Sequence, residues 1–133
     1  VQAQVLNFMK HIQQEYNIAY LFISHDLGVV KHMSEDIAIM HRGRFVEIGK
    51  RDQIYKNPMH IYTKRLLSAI PVVDVENREK HKEERQRVEQ EFLQDQDKWY
   101  EKDGRVLPLQ KVGERHFVAL PKDMIEQELK EGE

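Results

Sequence analysis

The sequence predicts an α/β fold, on three observations. A continuous apolar run, "NIAYLFIS", reads as a buried strand of β-branched and aromatic residues. Amphipathic helical patterns flank it on both sides. The stretch "DIAIMHRGRFVEIG" then gives two more short strands around "RG", where Gly43 can take a positive φ at little cost. Strands alternating with helices imply an α/β unit with a parallel sheet.

The elements follow in order. Val1 to Glu15 is helical, with Val5, Leu6, Met9 and Ile12 recurring at three- and four-residue spacing on one face. Because the chain opens on Val1, already inside this pattern, it reads as a fragment whose first helix begins earlier. The strand follows, and Ile18, Tyr20, Phe22 and Ile23 are predicted to be buried in it. Leu27 to Met33 is a short helix. After the two strands around Gly43, Asp52 is placed as the cap of a helix through Ile54 and Tyr55, stopped near Pro58. A further helix, "IYTKRLLSAI", runs up to Pro71.

Composition changes after "PVVD". More than half the residues from Arg78 to Asp103 are charged, in mixed sign, with Val88, Phe92 and Trp99 as a narrow apolar stripe. This predicts a long solvated helix packed along one edge, supported by pairs such as Glu83 with Arg87. A coiled-coil partner site needs a longer heptad run than these positions supply. "RVLPLQKVGERHFVALP" carries two short apolar segments around "VGER", a candidate hairpin. Pro121 opens a final acidic helix, Lys122 to Lys130.

Composition bounds function. Of 133 residues 40% are hydrophobic and 33% charged, with a formal net charge of −2. Nucleic-acid binding needs clustered Lys and Arg without matched acids, which this balance opposes. No apolar run approaches the ~18 residues of a membrane span, and the N-terminal residues lack the basic start and small-residue cleavage site of a signal peptide. The absence of cysteine excludes disulfides and thiolate metal sites and fits a reducing compartment. No metal site is expected either: His11, His32, His41, His60, His81 and His116 form no H-x-x-x-H pair. The six glycines never cluster and no G-x-x-x-x-G-K-[ST] occurs, so no loop is expected to cradle a phosphate chain. Arg42 and Arg44 in "HRGR" could attract an anion or simply decorate an exposed hairpin.

The polar triplet Ser24, His25, Asp26 ends the apolar run. It is not a Ser-His-Asp triad: neighbours in an extended segment point to opposite faces, whereas a triad needs three groups converging within hydrogen-bond reach. Two readings stay open from the residues alone. Either His25 is functional, at the carboxyl end of a buried strand where open α/β sheets bind ligands, or "SHD" merely caps the next helix through Ser24 or Asp26.

Taken together, "VQAQVLN", "LFISHDL" and "HIYTKRLLSAIP", in this order, closely resemble the last part of the nucleotide-binding subunit of ABC transporters, specifically the oligopeptide/dipeptide importers. The match covers Val1 to about Asp74. "HFVAL", His116 to Leu120, resembles a short signature near the end of some subunits of that family, and "HIYT" has Ile61 where the family typically has proline.

The resemblance implies the C-terminal part of a P-loop NTPase of ABC type over residues 1–74, followed by an α+β extension over 75–133. It implies that His25 is the switch histidine of the H-loop, which contacts the γ-phosphate of ATP and helps orient the attacking water. Phosphoryl transfer needs donors placed on the developing charge, and an imidazole can supply one. The family's Walker A loop, Q-loop glutamine, LSGGQ signature, Walker B aspartate and catalytic glutamate would all lie before Val1. The implied cofactors are therefore ATP and Mg in the intact subunit, with the chain inactive alone. The implied partners are a second ATP-binding subunit and transmembrane permease subunits, at the cytoplasmic face of the membrane, with peptide import as the outcome. The alternative from another class is a non-catalytic interaction module, in which the charged helix and the 106–120 segment contact a sister ATPase subunit.

Overall fold

The computed structural model describes residues 2–70, 75–121 and 123–125. They divide into two compact units, Val1–Glu35 and Asp36–Glu133. The boundary expected at Asp74, and the final helix beyond Ile125, lie outside the described residues. Among the described residues no helix is long and apolar enough to cross a membrane.

In the first unit, α1 spans Gln2–Tyr16 and ends where Asn17 turns to a positive φ of 52°, a conformation that asparagine tolerates better than most residues. Of the expected apolar face, Leu6 is buried, Met9 and Ile12 are half-buried and Val5 is exposed. α2 spans Leu27–Met33, as expected, and buries Val30. The segment between them departs from expectation. Ala19–Ile23 forms no strand, and Leu21 and Ile23 are 90% and 87% exposed. Ile18 and Tyr20 are also exposed and only Phe22 is half-buried. A run that is apolar on both faces becomes a buried strand only with neighbours on both faces and both edges. Among the described residues no strand pairs with it.

The second unit is built on a four-stranded sheet of order β1-β2-β4-β3. β1 (Asp36–His41) and β2 (Arg44–Lys50) form one hairpin; β3 (Gln110–Gly113) and β4 (His116–Val118) form the other. Both hairpins were legible from their turns, but the expected parallel sheet is wrong. Every pairing is antiparallel, because two-residue turns can join only antiparallel strands and the helices do not cross over between parallel ones. Arg42 and Gly43 have φ of 53° and 79°, and positive values at both central positions match the twist of the flanking strands. β2 pairs with β4 through Glu47 opposite Val118 and Ile48 opposite Phe117, which fuses the two hairpins.

Helices cover this sheet. α3 (Arg51–Lys56) packs on β1 and β2, and α4 (Ile61–Ser68) packs on β2. The N-cap of α3 is Lys50 rather than Asp52. The Gln53 side chain accepts the Lys50 amide at 3.1 Å, while Asp52 sits in the first turn, where its charge favours the helix dipole. α5 (Arg78–Gln94) packs along α4 and buries Phe92, as the narrow stripe implied. The helix expected to reach Asp103 breaks at Asp95. A short α6 (Gln96–Trp99) follows, and Tyr100 then bridges to Val106 across a turn closed by Gly104 at φ 84°. Ile37, Ile39, Val46, Ile54, Ile61, Trp99 and Val118 form the core.

Candidate functional site

The residues singled out by sequence fall into two places, and the structure adds a third. The first is the 24–26 loop, which enters α2. Asp26 is the N-cap: its Oδ1 accepts the amides of Gly28 at 3.1 Å and Val29 at 3.2 Å. Two donors that the first helical turn would leave unpaired are thereby satisfied. The amide of Asp26 in turn donates to Ser24 Oγ at 3.0 Å. His25 sits between these two bonds. It is exposed, and among the described residues no hydrogen bond or ion pair holds its imidazole. The hydroxyl and carboxylate of the triplet are thus turned onto backbone amides, as its rejection as a triad requires.

The second place is the β1–β2 turn. Arg42 donates through Nη1 to Gly104 O at 2.8 Å and lies 4.4 Å from the Tyr100 ring centroid, so it fastens the turn to the 101–105 loop. Arg42 and Arg44 are not brought together as an anion site.

The third place was not anticipated. Glu47 is fully buried and accepts the amides of Met59 and His60, the latter at 2.9 Å, at the entrance to α4. Its other oxygen lies 2.7 Å from His116 Nε2 on β4. One carboxylate therefore ties β2, α4 and β4. Beside it lies a nest of rings. His60 caps α4 by accepting the Tyr62 amide at Nδ1, 3.0 Å, which puts the proton on Nε2, and its ring meets Trp99 edge to face at 4.9 Å. Burial, then the charges of His41 and Lys64, lowers the His60 pKa to about 3, so the ring stays neutral. His41 stacks on Tyr62 at 3.9 Å. Burial, helped by Arg42 and Arg65, also lowers the His41 pKa. Burial raises that of Tyr100 to about 12, and the Tyr100 hydroxyl shares a hydrogen bond of 2.7 Å with His41 Nδ1. Arg65 forks onto Glu89 through two bonds of 2.9 Å, pinning α5 to α4. No member of this nest is poised for proton transfer. The rings pack on one another, and the buried Nε2 of His60 is left without a hydrogen-bond partner among the described residues.

Glu47 and the nest residues other than His41 lie within a segment that matches a known sequence family. Residues 46–100 match the family described as "Oligopeptide/dipeptide transporter, C-terminal region". That segment of the chain belongs to this family. Similarity to curated relatives extends well beyond it. The chain is 59% identical over 122 residues to the oligopeptide transport ATP-binding protein OppF of Lactococcus lactis subsp. lactis, covering 92% of this chain and 38% of the relative. It is 44% identical over 118 residues to OppF of Bacillus subtilis, covering 89% of this chain and 36% of that protein. It is 51% identical over 78 residues to the dipeptide transport ATP-binding protein DppF of Escherichia coli, covering 59% of this chain and 23% of that protein. The chain therefore spans little more than a third of the length of the first of these relatives. No solved structure matches it. Within the matched segment, His60, Tyr62 and Trp99 pack in the ring nest, and His25 lies outside that segment.

Proposed function

We propose that this chain is the C-terminal part of an ATP-hydrolysing subunit that energises peptide import. His25 is its one contact to the γ-phosphate of ATP. The observation that carries this reading is the state of His25: an unpartnered, solvent-facing imidazole on a loop whose backbone is otherwise tied down on both sides of it. A structural histidine is normally held by its own fold, as His116 is here through Nε2 and His60 is through Nδ1 alone. The names of the relatives supply the substrate class, oligopeptides or dipeptides, and the role, ATP binding.

In this reading the phosphate chain and Mg are held by residues outside this chain, and His25 adds a donor to charge that develops on the γ-phosphate. A second ATP-binding subunit completes the working pair, and permease subunits in the membrane receive its motion. The subunit sits peripherally at the cytoplasmic face. Residues 1–74 would belong to the ATPase domain and 75–133 to its extension.

The test is made in the full-length subunit. His25→Ala should leave ATP binding nearly intact while lowering hydrolysis on the order of 10²-fold, the loss expected for one transition-state contact. Hydrolysis at the parent rate would overturn the role given to His25. The 133-residue chain alone should show no saturable Mg-ATP binding by calorimetry in the low micromolar range; such binding would reveal a phosphate site within it.

A further inference from the structure

We propose that Ser24 and Asp26 are positioning residues for His25, and that the polar triplet works as one clamp with a single reactive member. The inference rests on the γ-phosphate role given to His25 and deepens it. An exposed histidine on an unrestrained loop would sample many directions, and a donor that wanders by an ångström loses most of its effect on a transition state. Here the chain around His25 is restrained by local bonds. The Asp26 amide closes back on Ser24 Oγ, a ring that encloses His25 itself. Asp26 Oδ1 then locks onto the first turn of α2 through Gly28 and Val29, and the Asp26 carbonyl accepts the Val30 amide at 3.1 Å. Asp26 is thus anchored to α2 by three bonds and Ser24 is linked to Asp26 through its hydroxyl, which restricts the backbone at His25 between them. Its side chain alone remains unengaged.

Ser24 Oγ and Asp26 Oδ1 each accept from backbone amides, so the contacts the structure shows for both side chains are made to the chain around His25. In this proposal their effect passes through the placement of the imidazole. This separates them from catalytic residues and fixes what their loss should look like.

In the full-length subunit, Asp26→Ala should lower kcat for ATP hydrolysis about ten- to hundredfold, with KM for ATP within about twofold of the parent. Asp26→Asn keeps a carbonyl oxygen that caps as well as the carboxylate, and should recover activity to within about threefold. Ser24→Ala removes the smaller half of the clamp and should give an intermediate fall. A purely structural role would lower the melting temperature and the yield of folded protein while leaving kcat per folded molecule unchanged. Parent-like kcat in both Asp26→Ala and Ser24→Ala would overturn the proposal, as would an Asp26→Asn variant as slow as Asp26→Ala. If Asp26→Ala does not fold, the exposed Ser24→Ala carries the same test. Parent-like kcat in the clamp variants while His25→Ala is slow would sink only this inference. A fast His25→Ala would sink the reading beneath it.

Discussion

Glu47→Ala is the substitution with the largest expected effect on this chain. The carboxylate is fully buried and receives the Met59 amide at 3.2 Å, the His60 amide at 2.9 Å and His116 Nε2 at 2.7 Å. Truncation strands three donors at once. Each buried donor left without an acceptor costs about 1–3 kcal/mol. Water entering the vacated space recovers part of this, so a net loss of about 4 kcal/mol is expected, against a total stability of roughly 5–15 kcal/mol for a domain. Glu47→Gln retains the volume and one acceptor oxygen for the α4 amides, and should lose about 1–2 kcal/mol. Urea unfolding of the 133-residue chain, followed by the fluorescence of Trp99, measures both. Trp99 is its only tryptophan and lies against His60, so it reports on this region. A Glu47→Ala chain that unfolds at the parent midpoint with the same urea dependence would refute the keystone role of Glu47.

Two further outcomes follow from the same unit. The folded pKa of His60, about 3, lies below its ordinary 6.5, so the native state resists a proton that the unfolded chain accepts. Its stabilising effect is complete above pH 6.5 and is lost as pH falls toward 3, at up to about 1.4 kcal/mol per pH unit. His60→Asn, which still caps α4, should flatten the stability profile between those limits, and an equally steep decline would place the titration elsewhere. Gly43→Val should cost about 1–2 kcal/mol by urea unfolding: Gly43 has φ 79° with nothing within 4 Å of a built Cβ, so only backbone strain acts. Gly43→Asn should cost much less, and equal costs for the two would exclude strain as the cause.

The turns of this fold and the cap of α2 were legible in the sequence because their causes are local, whereas the cap placed at Asp52 lies at Lys50 and the His60 cap of α4 was not anticipated. "HRGR" specified a two-residue turn, and Asp26 announced itself as the cap of α2. What escaped the sequence depends on partners. "NIAYLFIS" has the composition of a buried strand, yet composition cannot supply the neighbouring strands that would make it one. Alternation along β2 reads Glu47 as outward, between the apolar Val46 and Ile48. Continuing the register of His41 with Arg44 and Met40 with Phe45 would set Glu47 opposite exposed Ala38. A bulge between Ile39 and Met40 skips Val46 and sets Glu47 opposite buried Ile39 instead. One inserted residue therefore turns the carboxylate from solvent into the core. His25 was visible by type and place, but its isolation from every described partner was not. That required knowing that its neighbours spend their oxygens on amides.

The matched region, residues 46–100, does not complete its own structure. Its buried Glu47 needs His116, its bulge residue Val46 accepts the Ala119 amide at 2.8 Å, and Tyr100 bridges to Val106. Gln53 reaches back to the Glu114 carbonyl at 3.4 Å. Each of these bonds joins the family segment to the hairpin and loop that follow it, over separations too long for either part to enforce alone. The last described residues are therefore structural to the region that precedes them. Substitutions over 101–120 should act on the amount of folded protein, through Glu47 and the β2–β4 pairing. The 24–26 loop has the opposite profile. Its cap stabilises only a seven-residue helix, so changes there should alter turnover before they alter stability.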